Sequence, residues 1–193
     1  MVASGVHQPP HALSGGALVH ERVVMMAANC LLDDMDWAPE NKVFAEIRIG
    51  LDKNEGGQYE VRHAKWAVVH PGMTSSWNFM GVSDIALVLL DRPSTMRPLL
   101  HLPPEWFKWD WQFCAGRPSK GVNPCSGDNG FPLIWKGPTG DVAVGVTTRS
   151  GAGCGGWPNV YADVAVASNW IRNTIQWMVH EDAAGRIPGP ATG

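Results

Sequence analysis

Several groups of residues in the 193-residue chain have types and spacings that chemistry uses. Gly151-Ala152-Gly153-Cys154-Gly155-Gly156 fits Gly-x-Gly-x-x-Gly, the turn that cradles a dinucleotide pyrophosphate at a helix start. A strand-like stretch, Val142 to Thr148, precedes it, but Trp157-Pro158-Asn159 follows where the helix should open. No dinucleotide, and no other cofactor, is therefore expected. His7 and His11 have the i, i+4 spacing by which one helix face offers two metal ligands, yet Pro9 and Pro10 forbid that helix. Asp33-Asp34-Met35-Asp36 lacks the glycine and glutamate of a calcium loop and reads as a solvated turn. No metal site is expected. Trp106, Trp109 and Trp111 could form an exposed binding patch; packing over a sheet edge is the simpler reading.

A different set of segments carries the stronger signal. It comprises Ser14-Gly15-Gly16-Ala17-Leu18-Val19, Met26-Ala27-Ala28-Asn29-Cys30, Val69-His70-Pro71, Asp84-Ile85-Ala86-Leu87, Phe113-Cys114-Ala115-Gly116, Cys125-Ser126-Gly127-Asp128-Asn129-Gly130-Phe131-Pro132-Leu133 and Pro158-Asn159-Val160-Tyr161. In this order they resemble the landmarks of the trypsin-like serine proteases. The resemblance runs along nearly the whole chain and implies an all-β, chymotrypsin-like double antiparallel barrel with a C-terminal helix.

The same resemblance assigns roles. It puts Asn29, Asp84 and Asn129 at the triad positions, where only Asp84 matches the family; Asn29 stands for the histidine and Asn129 for the serine. A carboxamide is neither a nucleophile nor a base near neutral pH, so Asn29 and Asn129 cannot do the work of those residues. A buried Asp84 needs donors, and the Asn29 amide can supply one. The oxyanion hole would be the backbone N–H groups of Gly127 and Asn129. The specificity pocket would be built by Asn123, Gly151 and Asn159, with no acidic selector at its floor. Asn159 and Phe131 replace glycines and are expected to crowd the cleft, and Asp128 has no evident terminal-amine partner. Of four cysteines, the resemblance pairs Cys125 with Cys154, leaving Cys30 and Cys114 as free thiols. The loop from Asp52 to Glu60 resembles a calcium-binding region of some family members, but its carboxylates do not line up.

These residues must be held by many short strands, and composition agrees. Only 17% of the residues are charged, while Gly 22 and Pro 15 suit turn-rich β structure. A formal net charge of -3 argues against nucleic acid, and no apolar run approaches a membrane span. Strand patterns cover Ala17 to Met26, Val43 to Leu51, Tyr59 to Val69, Asp84 to Leu90, Phe131 to Lys136 and Val142 to Thr148. Apolar residues at helical spacing predict a helix over 168–179 with Ser168 as its N-cap. The stretch between Arg92 and Cys114 has room for two strands at most, so a shortened second barrel is expected. The expected division is 1–113 for the first barrel, lacking its N-terminal strand, and the inter-barrel connection. Residues 114–179 would form the second-barrel remnant and helix, and 180–193 a flexible tail.

The functional expectation is a trypsin-like serine protease homologue that is catalytically inactive. Its alternatives are a protein-binding or inhibitory module on a protease scaffold, or a truncated product of an active serine endopeptidase. A protein or peptide partner, a monomeric state and, by the resemblance, an extracellular location are expected. The first seven residues show neither a basic nor an apolar leader segment.

Overall fold

The computed structural model describes residues 4–8, 12–32, 46–50, 59–73, 83–101, 111–116, 124–125, 128–149 and 159–188. Six strands close a barrel: β1 (Ser4–Gln8), β2 (Ala12–His20), β3 (Val23–Met26), β4 (Glu46–Ile49), β5 (Glu60–Val69) and β6 (Ala86–Leu90). A single helical turn, α1 (Asn29–Leu32), follows β3. The barrel order is β1-β2-β3-β6-β5-β4, every neighbouring pair antiparallel. Strand β1 corrects the expectation of a missing first strand. It pairs Ser4 with Gly16 on one side and with Ile49 on the other, closing the cylinder. Its short sequence, Ser-Gly-Val-His-Gln, has no strand signature of its own and is placed by its two neighbours.

The run from Ala17 to Met26, read as one segment, is a hairpin turning at Glu21-Arg22, where His20 Nδ1 accepts a hydrogen bond from the Arg22 N–H at 3.1 Å. Both β3 and β6 are buried along their whole length. Alternation explains this: Val24, Met26, Val88 and Leu90 pack with Ile47 and Ile49 in one cluster. Val23, Met25, Leu87 and Leu89 point the other way, into a second cluster shared with the C-terminal helix. A continuous apolar run here signals two buried faces.

The second half is an open sheet of five strands: β7 (Leu100–His101), β8 (Gln112–Ala115), β9 (Pro132–Gly137), β10 (Gly140–Arg149) and β11 (Asn159–Asp163). Its order is β7-β10-β11-β8, with β9 on the other edge of β10. Among the described residues β8 pairs only with β11, and β9 only with β10, so the second barrel is a half-barrel. β7 runs parallel to β10 and joins this sheet from within the segment expected to be connection. The molecule is thus mostly β, a closed barrel and a half-barrel with a C-terminal helix: the chymotrypsin-like, second-barrel-shortened architecture expected.

That helix, α2, spans Val164–Ala183. It starts before Ser168, which is buried inside it; the N-cap is Asp163, whose Oδ1 accepts from Ala165 N at 2.8 Å and Val166 N at 3.4 Å. The β-branched start Val164-Ala165-Val166 masks the helix in sequence. The tail is also corrected as far as residue 188. Asp182 binds Arg22 at 2.5 Å and also Lys65, both from the first barrel, and Ile187 is 6% exposed within the main core.

Candidate functional site

Barrel and half-barrel meet where β3 ends and β10 approaches its C-terminal end. α1 begins at Asn29 there, and the Asn29 backbone N–H donates to Asp84 Oδ1 at 2.8 Å. The Asn29 side-chain Nδ2 donates to Asp84 Oδ2 at 2.8 Å and to the Thr148 carbonyl at 3.0 Å. Its Oδ1 accepts from Cys30 Sγ at 3.2 Å. Both amide hydrogens are thus committed, one across the inter-barrel junction. Asp84 is 5% exposed, and these donors are what make a buried carboxylate tolerable.

The turn that presents Asp84 is strained. Ser83 has φ 66°, the left-handed region that a serine seldom enters, and Ile85 N donates to the Ser83 carbonyl at 2.8 Å, closing a three-residue turn on Asp84. Nothing in the sequence pattern points to this conformation; Ser83 is a site residue that the sequence reading missed. The Thr148 carbonyl is a second, being a backbone group that acts through tertiary position alone.

Asn129 lies in a tight turn from Asp128 to Phe131, with Phe131 N donating to the Asp128 carbonyl at 3.2 Å. Gly130 takes φ 87°, and a Cβ there would meet the Gly15 carbonyl oxygen at 2.0 Å, so only glycine fits. Three backbone bonds pin the turn: Gly15 N to the Asn129 carbonyl at 2.6 Å, Gly130 N to the Thr147 carbonyl at 2.7 Å, and Thr147 N to the Phe131 carbonyl at 2.9 Å. The same short stretch of β10, Thr147-Thr148, therefore holds Gly130 and Asn29. Asn29, Asp84 and the Asn129 turn are brought to one junction. The Asn129 Oδ1 atom is buried, with no hydrogen-bond partner among the described residues. Asp128 turns its carboxylate inward, accepting from Cys125 N at 2.8 Å.

Phe131 follows this turn. Its ring packs on Gly15 of β2, where a Cβ would lie 2.1 Å from Phe131 Cδ2, so the ring fills the seam between the two β units. Asn159 opens β11 and is 1% exposed. Gly127, Asn123, Gly151 and Cys154 lie outside the described residues, as do His11, Asp33, Asp34, Asp36, Trp106 and Trp109. Trp111 is described and meets His70 at 5.8 Å between ring centroids.

The histidines take other work. His70 is buried against Trp170 at 4.6 Å, and its Nδ1 accepts from Gly72 N at 3.0 Å. Burial pushes its pKa below the ordinary value, keeping the ring neutral. His63 lies beside Asp91 at 3.7 Å, and His20 caps its own turn. Among the described residues no group of three His, Cys, Asp or Glu side chains could hold a metal ion.

A closed antiparallel barrel against a half-barrel, with a buried aspartate at their junction and a long closing helix, defines the chymotrypsin-like architecture. The Trypsin family model matches residues 1–103 and 108–171, and the chain belongs to that family. It is 27% identical to Trypsin-1 of Gadus morhua over 213 aligned positions, which take in 83% of this chain and 80% of that protein. It is 25% identical to the CLIP domain-containing serine protease B10 of Anopheles gambiae, covering 84% of this chain and 61% of the relative. A 65-residue stretch is 43% identical to Transmembrane protease serine 9 of Rattus norvegicus, 33% of this chain and 6% of that protein. The chain thus spans only a small part of some relatives and most of others.

Proposed function

We propose that this member of the trypsin family has no peptidase activity, because Asn29 and Asn129 occupy the positions of the general base and the nucleophile. The observation that carries the reading is the state of the Asn29 amide. It bonds Asp84 in the place where an imidazole would be oriented, yet it has no basic nitrogen to take a proton. Asn129 has no proton to lose near neutral pH, and its Oδ1 is buried. Without both groups the residual acceleration over water is at most about 10³–10⁴-fold.

The pocket assignment to Asn123, Gly151 and Asn159 and the oxyanion-hole role of Gly127 and Asn129 belong to the same proposal. So does a Cys125–Cys154 bridge, worth ~2–4 kcal/mol in an oxidising compartment. Cys30 and Cys114 take part in no disulfide among the described residues, which supports that pairing. A frame kept without its chemistry fits a module that holds a peptide or protein, and the turn at Asn129, pinned from both β units, favours that second reading.

Purified protein should turn over no peptide or ester substrate and take no label from a serine-directed fluorophosphonate. Labelling that maps to any serine of the chain, Ser126 above all, would overturn the proposal.

A further inference from the structure

A cleft of about 540 Å³ opens between the end of β2 and α2, sharing no residue with the Asn29–Asp84 junction. Its floor is aliphatic: Val19 and Ile175 are each 8% exposed, and Val179 adds a half-buried side. Its polar lining comes from Arg172, Gln176, His20 and His180. The acids nearby are already taken. Glu181 is held by Arg186 at 2.5 and 2.7 Å and lies 3.2 Å from His180 Nδ1. Asp182 turns away to Arg22 and Lys65. Arg172 is exposed and makes no hydrogen bond or ion pair with any described residue. An unneutralised guanidinium at the mouth of an aliphatic trough complements a molecule with one anionic end and one apolar end.

We infer that this cleft binds a linear aliphatic carboxylate, with its carboxylate at Arg172 and its chain along Val19, Ile175 and Val179. A guanidinium suits a carboxylate because its paired N–H donors match the two oxygens. Val19, Ile175 and Val179 offer the chain aliphatic side chains only.

Isothermal titration of the full chain with hexanoate, octanoate and decanoate tests this, with octan-1-ol as the uncharged comparison. Saturable one-to-one binding is expected, tightening about threefold or fourfold per added methylene. Octan-1-ol and the Arg172→Gln variant should each bind at least about tenfold more weakly. Ala183→Trp, placed at an exposed end of the cleft, should block binding with the charge untouched. Methyl resonances of Val19, Ile175 and Val179 should shift with octanoate in the parent chain. Arg172 and Ala183 are both exposed, so unchanged circular dichroism would certify either variant as folded. The inference fails if octan-1-ol matches octanoate, if either variant binds like the parent, or if an acidic peptide without apolar residues binds as tightly as decanoate.

Discussion

Asn29 and Asp84 form an amide–carboxylate pair whose energetics follow from its donors. Asn29→Ala removes one donor from Asp84 and the one from Asn29 to the Thr148 carbonyl while leaving the backbone N–H of residue 29 in place. It should cost about 1–3 kcal/mol in urea unfolding. Asn29→Asp should cost more at neutral pH, because a second carboxylate would face the first in a buried site. That pair would hold one proton well above the ordinary carboxylate range, so its penalty is greatest at neutral pH and shrinks as pH falls. Stability curves of the two variants measured from pH 4 to 8 should therefore converge at the acid end. Parallel curves would show that Asp84 is not ionised against residue 29.

Helix α2 sets a different contest, between a cap and a buried charge. Burial pushes the Asp163 carboxyl above its ordinary pKa, and the two N–H groups of Ala165 and Val166 only partly oppose this. A raised acid pKa means that ionisation costs stability as pH rises through the folded value. Asp163→Asn keeps an acceptor for those N–H groups without the charge, so at neutral pH it should match or slightly exceed the parent in stability. Asp163→Ala should lose about 0.5–2 kcal/mol. Ser168→Ala should leave the start of the helix intact, since Ser168 sits a full turn inside it. Thermal melts of the three variants decide whether Asp163 or Ser168 begins the helix.

At the scale of the molecule, α2 is tied to the first barrel by Asp182. Burial raises the Asp182 carboxyl, but its hydrogen bonds from Lys65 and Arg22 outweigh that and hold it below its ordinary 3.8. A lowered pKa contributes stability that is present above 3.8 and is lost as pH falls through the folded value. Asp182→Asn should therefore cost about 1–3 kcal/mol at pH 7, and the cost should shrink as pH falls below 3.8, read by chemical denaturation. The thiols report on the same packing. Cys114 is exposed and Cys30 half-buried beside Asn29. Iodoacetamide should modify Cys114 rapidly in the native protein and Cys30 slowly, with both equally reactive after unfolding. Equal native rates would mean that the junction around Asn29 opens freely.

The sequence by itself determined the family and the order of its landmarks, because each lies within a short segment. Val24 to Cys30, Asp84 to Leu90 and Cys125 to Leu133 carry strand pattern, turn residues and side-chain chemistry together, so a local reading finds them. It also determined that the second barrel is short, since a chain cannot make strands from residues it lacks. Tertiary structure alone decided what contacts across the seam decide. Ser4–Gln8 became a strand because β2 and β4 both offered it an edge. Phe131 packed into the seam because Gly15 left room for its ring. The Thr148 carbonyl became a partner of Asn29 through a contact between residues far apart in the chain. The tail past His180 became ordered because Lys65 and Arg22 were waiting for Asp182. Backbone carbonyls, glycine voids and distant ion pairs leave no periodic trace in a sequence; they exist only once the chain has closed on itself.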